Sequence, residues 1–163
     1  GASTVGIEST IVDLSRLADG VGPVLLRPGH ISPAQIAEVL ERQVLDADAQ
    51  APRVSGALKS HYAPHTPLAL LPASAMLEFA RAHATSENKK IVFVTHTLRS
   101  ETHVRRTDVD WVVMPSDPTA YSQALYATLR SLDQAGYSQI FWETLPDDPR
   151  WLGVADRLAR PAA

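Results

Sequence analysis

Residues 55–67, SGALKSHYAPHTP, concentrate polar and aromatic groups in a stretch where Pro64 and Pro67 exclude a regular helix or a central strand. Tyr62 can stack on a purine, and Lys59 and His61 can meet phosphate oxygens. His61 and His65 have the H-x3-H spacing that would put two imidazoles on one face of a helix. Pro64 stands between them, however, and no Cys or Glu completes a familiar ligand set, so no metal site is assigned. The competing reading is a linker docked on a domain surface, with Tyr62 as its apolar anchor.

Two further groups lie upstream. In GIESTIVDLS, Ser9 and Thr10 are adjacent hydroxyls that point to opposite faces of an extended chain, so one can face a cleft while the other faces the sheet. In VLLRPGHIS, Arg27 comes at a strand end before Pro28 and Gly29, where a chain reversal would present its guanidinium to a carboxylate or phosphate. The plain alternative makes Ser9 and Thr10 strand fillers and leaves Arg27 in solvent or in a structural ion pair. Further on, Glu143 follows an apolar strand and Asp156-Arg157 lie in the closing segment; a salt bridge or helix cap accounts for them as well as a ligand does. Trp111, Phe141, Trp142 and Trp151 read as core or interface residues, because three of them sit in apolar strand runs.

The elements that must carry these groups fall into three regions. In residues 1–43, ESTIVDL and PVLLRPG predict two strands joined by an Asp19-Gly20 turn. A helix follows over SPAQIAEVLE, with Ser32 as N-cap, Pro33 at the first helical position, and Ile36, Val39 and Leu40 at helical spacing. Residues 44–66 show no sustained period and read as a linker. From residue 67 onward, strand-like and helix-like segments alternate: LALLP, ASAMLEFARAHA, KIVFVTH, DWVVMP, a long helix over DPTAYSQALYATLRSLDQAG, SQIFWET, and a short helix in WLGVADRLA. Four apolar strands interleaved with helices predict an α/β, Rossmann-like domain with a mostly parallel sheet. No G-x-G-x-x-G follows its first strand, which disfavours a dinucleotide.

The chain has 163 residues, 45% of them hydrophobic, which is enough for a packed core. A net charge of −3 gives no overall basic field for non-specific nucleic-acid binding. With no cysteine, disulfides and thiolate metal sites are excluded. The apolar runs are too short to span a bilayer and GASTVGIEST does not read as a signal peptide, so a cytoplasmic protein without membrane contact is expected. The chain starts without Met and runs at once into VGIESTIVDL, from which we expect the numbering to begin inside a longer protein.

Taken together and in order, STVGIESTIVDLS, VLLRPGHIS, HYAPHTPL and LPDDPRWLGVADRLARPAA resemble the C-terminal half of the two-domain members of the Sua5/YrdC family of threonylcarbamoyl-AMP synthases. The resemblance covers nearly the whole chain and is weakest in the second domain. It implies that residues 1–43 are the last strands and helix of a truncated YrdC-like catalytic domain, residues 44–66 the linker, and residues 67–163 the Sua5 domain. It also implies an enzyme, a nucleotidyltransferase condensing L-threonine, bicarbonate and ATP, the last with Mg2+, to threonylcarbamoyl-AMP and pyrophosphate. A downstream tRNA threonylcarbamoyl transferase would then modify adenosine 37; direct tRNA binding stays open.

Position by position, Ser9 matches the family's threonine-contacting residue, Arg27 an ATP contact, and Tyr62 the linker tyrosine at the nucleotide. Lys59 and His61 stay candidate phosphate contacts on their chemistry alone, without a family match, and no residue of this chain takes a covalent catalytic role. The family's linker has a basic residue directly before HYAP, whereas Ser60 stands there in this chain, with Lys59 one step earlier. The lysine and arginine motifs of the N-terminal YrdC-like domain have no counterpart in these residues, so the fragment alone is expected to be inactive. The reading from another class is a non-enzymatic α/β interaction or regulatory module tethered by its linker.

Overall fold

The computed structural model describes residues 6–55, 64–82, 90–99, 102 and 106–159. Seven strands and four helices are named: β1 (Ile11–Asp13), β2 (Val24–Arg27), α1 (Pro33–Leu40), β3 (Leu45–Asp46), β4 (Leu68–Leu71), α2 (Ala73–Ala82), β5 (Ile91–Thr95), β6 (Val109–Val113), α3 (Pro118–Gln134), β7 (Gln139–Glu143) and α4 (Leu152–Ala159). They form a three-stranded sheet, order β1-β2-β3, and a four-stranded sheet, order β4-β7-β5-β6.

The second sheet is parallel throughout, as its apolar strands predict. All five residues of β5 are buried because helices cover both faces. On one face Met76 and Ala80 of α2 pack over Ile91, Phe93 and Val109, joined by Trp111 and Phe141. Phe93 stacks on Trp111 at 4.7 Å and on Phe141 at 5.3 Å between ring centroids, so the aromatic run serves the core. On the other face Tyr121, Leu125, Leu129 and Leu132 of α3, with Val154 and Leu158 of α4, cover Val92, Val94, Ile140 and Trp142. Each such side chain contributes about 1.5–3 kcal/mol on burial. The indole N–H of fully buried Trp142 donates to the Tyr121 hydroxyl at 2.6 Å, so a polar atom in the core is satisfied.

The Ser32 cap is present as predicted, and the long helix carries one beyond those predicted. Ser32 accepts from the backbone N–H of Gln35 while Gln35 accepts from that of Ser32, a reciprocal capping box with Pro33 behind it. Asp117 caps α3 ahead of Pro118, accepting from the Ala120 N–H at 2.9 Å. Gly136 supplies the left-handed residue after α3, at φ 77°.

The first sheet differs from expectation in three ways. Asp19 and Gly20 do turn, but as the end of a 3-10 turn over Leu17–Asp19 inside a longer connection, residues 14–23, and not as a tight hairpin. β1 is confined to residues 11–13; ahead of it Glu8 turns to Tyr126 and Arg157, and Ser9 and Thr10 bond to Arg27 and Ile31. The segment read as linker from residue 44 contributes β3, whose two residues pair in parallel with β2. In α1 no residue is buried, and Val39 is 82% exposed. Leu14, Leu17, Ile31, Leu40 and Leu45 are exposed as well, so several apolar positions of this part are uncovered, whereas Ile7 and Val24 are buried.

Candidate functional site

Ser9 and Thr10 divide as extended backbone requires. Thr10 donates its hydroxyl to the Ile31 carbonyl at 2.7 Å, whereas Ser9 is exposed. Arg27 is buried, 9% exposed, and among the described residues it forms no ion pair. Its Nε and Nη2 donate to the Ser9 carbonyl at 3.1 and 3.0 Å, and its Nη1 to the Ser55 carbonyl at 2.8 Å. One guanidinium thus ties β2 to the serine before β1 and to the start of the HYAP segment. A guanidinium has about five N–H donors, so the three directions used leave capacity for an anion. The pairing of β1 with β2 changes register between Ile11 and Val12, directly beside Arg27, and such an irregularity re-aims neighbouring side chains.

The structure therefore brings Ser9 and Arg27 together. Tyr62, His61 and Lys59 lie outside the described residues. His65 is described, and its Nδ1 is 3.1 Å from Asp133 of α3, whose other oxygen accepts the Thr66 N–H at 2.8 Å. These contacts, the Thr66 N–H foremost, hold the Asp133 carboxyl well below its ordinary range. Residues 65 and 66, just ahead of β4, are fixed to α3 by this pair of contacts. Among the described residues no three His, Asp or Glu side chains gather as metal ligands, and nothing below is routed through a metal.

Glu8, immediately before Ser9, is held from the helices that pack on the parallel sheet. Tyr126 of α3 places its hydroxyl 2.9 and 2.8 Å from the two carboxylate oxygens, and Nε of Arg157 in α4 donates at 2.9 Å. Burial alone would raise the Glu8 carboxyl; the Tyr126 hydroxyl, its own backbone N–H and Arg157 outweigh it and hold the group below the usual carboxylate range. Burial and the Glu8 carboxylate push the Tyr126 hydroxyl upward, so it stays a donor at neutral pH. Arg157, 5% exposed, also donates to the Pro28 carbonyl. Beneath this grip the backbones touch. A Cβ on Gly153 would lie 2.6 Å from the Gly29 carbonyl oxygen and 2.8 Å from Ile7 Cδ1, while one on Gly29 would lie 2.3 Å from the Thr10 nitrogen.

A second cluster sits at the carboxyl edge of the parallel sheet, where α/β proteins gather ligands. Glu143, 3% exposed, accepts from the hydroxyls of Thr95 and Thr97 and from the N–H groups of His96 and Thr97, at 2.7 and 3.1 Å for the latter two. Its own donors saturate it, so the expected helix cap or salt bridge is in fact a latch holding the end of β7 to the turn after β5. His96, which sequence reasoning missed, has a side chain 4% exposed with Nδ1 3.3 Å from Glu143 but without hydrogen-bonding geometry. Burial lowers its pKa and the carboxylate only partly offsets this, so the imidazole is neutral.

A cavity of about 580 Å³ opens between the two parts, lined by Gly29, His30 and Ser32 on one side and by Asp117, Ser122 and Arg150 among others on the second. It includes neither Ser9 nor Arg27, and Arg150 is already paired with Asp148 at 2.7 Å. The carbonyl tie between Ser9 and Arg27 is the better-founded candidate site.

An α/β unit with a four-stranded parallel sheet, gripping a small sheet that carries a Ser–Arg pair, defines the class of molecule. The chain belongs to the family described as threonylcarbamoyl-AMP synthase, C-terminal domain, whose family model matches residues 31–163. It is 30% identical over 177 aligned positions to the threonylcarbamoyl-AMP synthase of Bacillus subtilis (strain 168), covering 99% of this chain and 47% of that protein. Its fold is similar to that of P. abyssi Sua5 in the crystal structure complexed with L-threonine, with a TM-score of 0.73 at 20% identity, over 98% of this chain and 47% of that one. A double-variant structure of P. abyssi Sua5 gives a TM-score of 0.68 over 98% of this chain and 46% of that one. The chain spans about half the length of these relatives. No helix among the described residues is long and apolar enough to cross a membrane.

Proposed function

We propose that this chain is the C-terminal half of an L-threonylcarbamoyladenylate synthase whose active site is completed by an N-terminal YrdC-like domain. The reaction joins the threonine amine to bicarbonate as a carbamate, whose oxygen attacks the α-phosphorus of ATP. Threonylcarbamoyl-AMP forms as pyrophosphate and water leave. Charge develops on carboxylate and phosphate oxygens throughout, so the protein's work is to position and stabilise, not to supply a nucleophile.

The observation that carries this reading is the exposed Ser9 hydroxyl beside a buried Arg27 that holds the Ser9 carbonyl. Ser9 would bind threonine, as the threonine complex of P. abyssi Sua5 encourages. Arg27 would offer its remaining donors to ATP. Tyr62 would meet the nucleotide, with Lys59 and His61 near its phosphates; Mg2+ would arrive with ATP. The uncovered apolar positions of α1 and the first sheet fit burial by the catalytic domain. The product would pass in the cytoplasm to a transferase acting on adenosine 37 of tRNA.

The test is formation of threonylcarbamoyl-AMP, read by mass spectrometry, from threonine, bicarbonate, Mg2+ and ATP. The protein with its upstream domain is expected to make it and the 163-residue chain alone to make none. Turnover by the chain alone at the rate of the longer protein would contradict the division of labour. An unrelated upstream domain and no product from either would favour the interaction-module reading.

A further inference from the structure

We infer that Tyr126 and Arg157, both in the second domain, are positioning residues for threonine: they hold Glu8, the residue before Ser9, and couple that domain to substrate binding. The inference rests on the assignment of Ser9 to the threonine site made above.

Three successive residues are immobilised. Glu8 is held through both carboxylate oxygens by Tyr126, and through one of them by Arg157. The Ser9 carbonyl is held by Arg27, and the Thr10 hydroxyl by Ile31. Arg157 reaches past Glu8 to the carbonyl of Pro28, the residue after Arg27, so one side chain touches the neighbours of both candidate ligands. Only the Ser9 side chain is left exposed at this point. A binding group on a backbone fixed in advance loses less conformational freedom when the ligand arrives.

Stability alone is a poor explanation for the arrangement. Arg157 is buried and Glu8 partly so, and a carboxylate–guanidinium pair taken out of water is often no more stabilising than well-packed apolar side chains of the same volume. What the charged network adds is direction: it aims Glu8, and with it the peptide of Ser9, at one geometry. The contact is made across 118 residues by Tyr126 and across 149 by Arg157, so the orientation of this segment depends on the second domain being in place.

The experiment is steady-state pyrophosphate release by the full-length synthase with its upstream domain, varying threonine and ATP separately. Tyr126→Phe removes one hydroxyl and keeps the ring. It is expected to raise KM for threonine about five- to twentyfold, while kcat and KM for ATP stay within about twofold. Glu8→Ala should match or exceed that effect on threonine. Glu8→Gln, which keeps one oxygen to accept the Tyr126 hydroxyl, should recover part of it. Arg157→Lys is expected to raise both KM values, since Arg157 also holds Pro28, though it risks the fold; Tyr126→Phe therefore decides. If Tyr126→Phe melts within about 3 °C of wild type and its KM for threonine is unchanged, the inference is wrong. A lower kcat with both KM values unchanged would likewise mark a purely structural role. If the wild-type enzyme shows no threonine-dependent release, the synthase reading fails and takes this inference with it.

Discussion

Glu143 and Glu8 are both carboxylates that burial would raise and hydrogen bonds hold below the ordinary range, yet they do opposite things for the molecule. The donors to Glu143 come from residues 95–97, at the end of the neighbouring strand β5 and in the turn after it, so the network is local to one sheet edge. The side-chain donors to Glu8 come from residues more than a hundred positions away, in α3 and α4 on the parallel sheet. The first arrangement makes the parallel sheet rigid at its ligand-prone edge. The second makes the small sheet's geometry conditional on its neighbour. A saturated carboxylate in a place where ligands gather is thus no evidence of a ligand site; the origin of its donors shows whether it locks an element or links two.

Removing Glu143 is the largest expected perturbation. Glu143→Ala leaves two hydroxyls and two N–H groups without their acceptor and should cost at least about 3 kcal/mol, a fall of roughly 6–12 °C in Tm. Thermal unfolding followed by circular dichroism measures it. Gly153→Ala attacks the other region, forcing a methyl against the Gly29 carbonyl, and should cost about 1–3 kcal/mol. Hydrogen exchange should then rise at residues 7–10 and 28–30 while β5 stays protected. Equal loosening of both regions would erase the distinction between latch and link.

Acid sharpens the same comparison. His96 is depressed below its ordinary value of 6.5 and Glu143 below 4.5, so each binds protons more readily in the unfolded chain. The stability each contributes is fully present above those values and is lost as pH falls through the folded-state pKa. Protection factors at residues 95–98, taken against the intrinsic rate at each pH, should therefore begin to fall below about pH 6.5. The seam around Glu8, lowered from 4.5 by Tyr126, its own backbone N–H and Arg157 against the effect of burial, should hold until more acid conditions. The smallest effect expected is that of Asp133→Asn, which weakens the anchor of His65 and Thr66 by about 0.5–1.5 kcal/mol. Limited proteolysis just before residue 64 should report it.

Much of the scaffold is legible in the sequence because its signals are local. Ser32-Pro33 and Asp117-Pro118 mark helix starts, Gly136 a helix end, and the apolar run of β5 a strand covered on both faces. The pairing of β3 with β2 is not legible, since two residues in parallel register carry no period of their own. Arg27 is singled out by its position before Pro28-Gly29, but its ties to the carbonyls of Ser9 and Ser55 depend on main-chain atoms that no residue type announces. His96 is invisible until the order β4-β7-β5-β6 places the ends of β5 and β7 side by side. The Glu8–Arg157 contact requires the whole chain between them to fold first. A Glu before Ser-Thr and an Arg in the last helix are the only hints the sequence offers.

If the second domain holds the threonine segment, threonine must in turn hold the second domain, because coupling between two sites is reciprocal. Hydrogen exchange on the full-length protein, with and without saturating threonine, tests this directly. The expected result is slowed exchange both at residues 7–10 and along α4 around Gly153 and Arg157, with the α4 response abolished in Tyr126→Phe. Protection confined to residues 7–10, with α4 exchanging at the same rate in both conditions, would contradict the account.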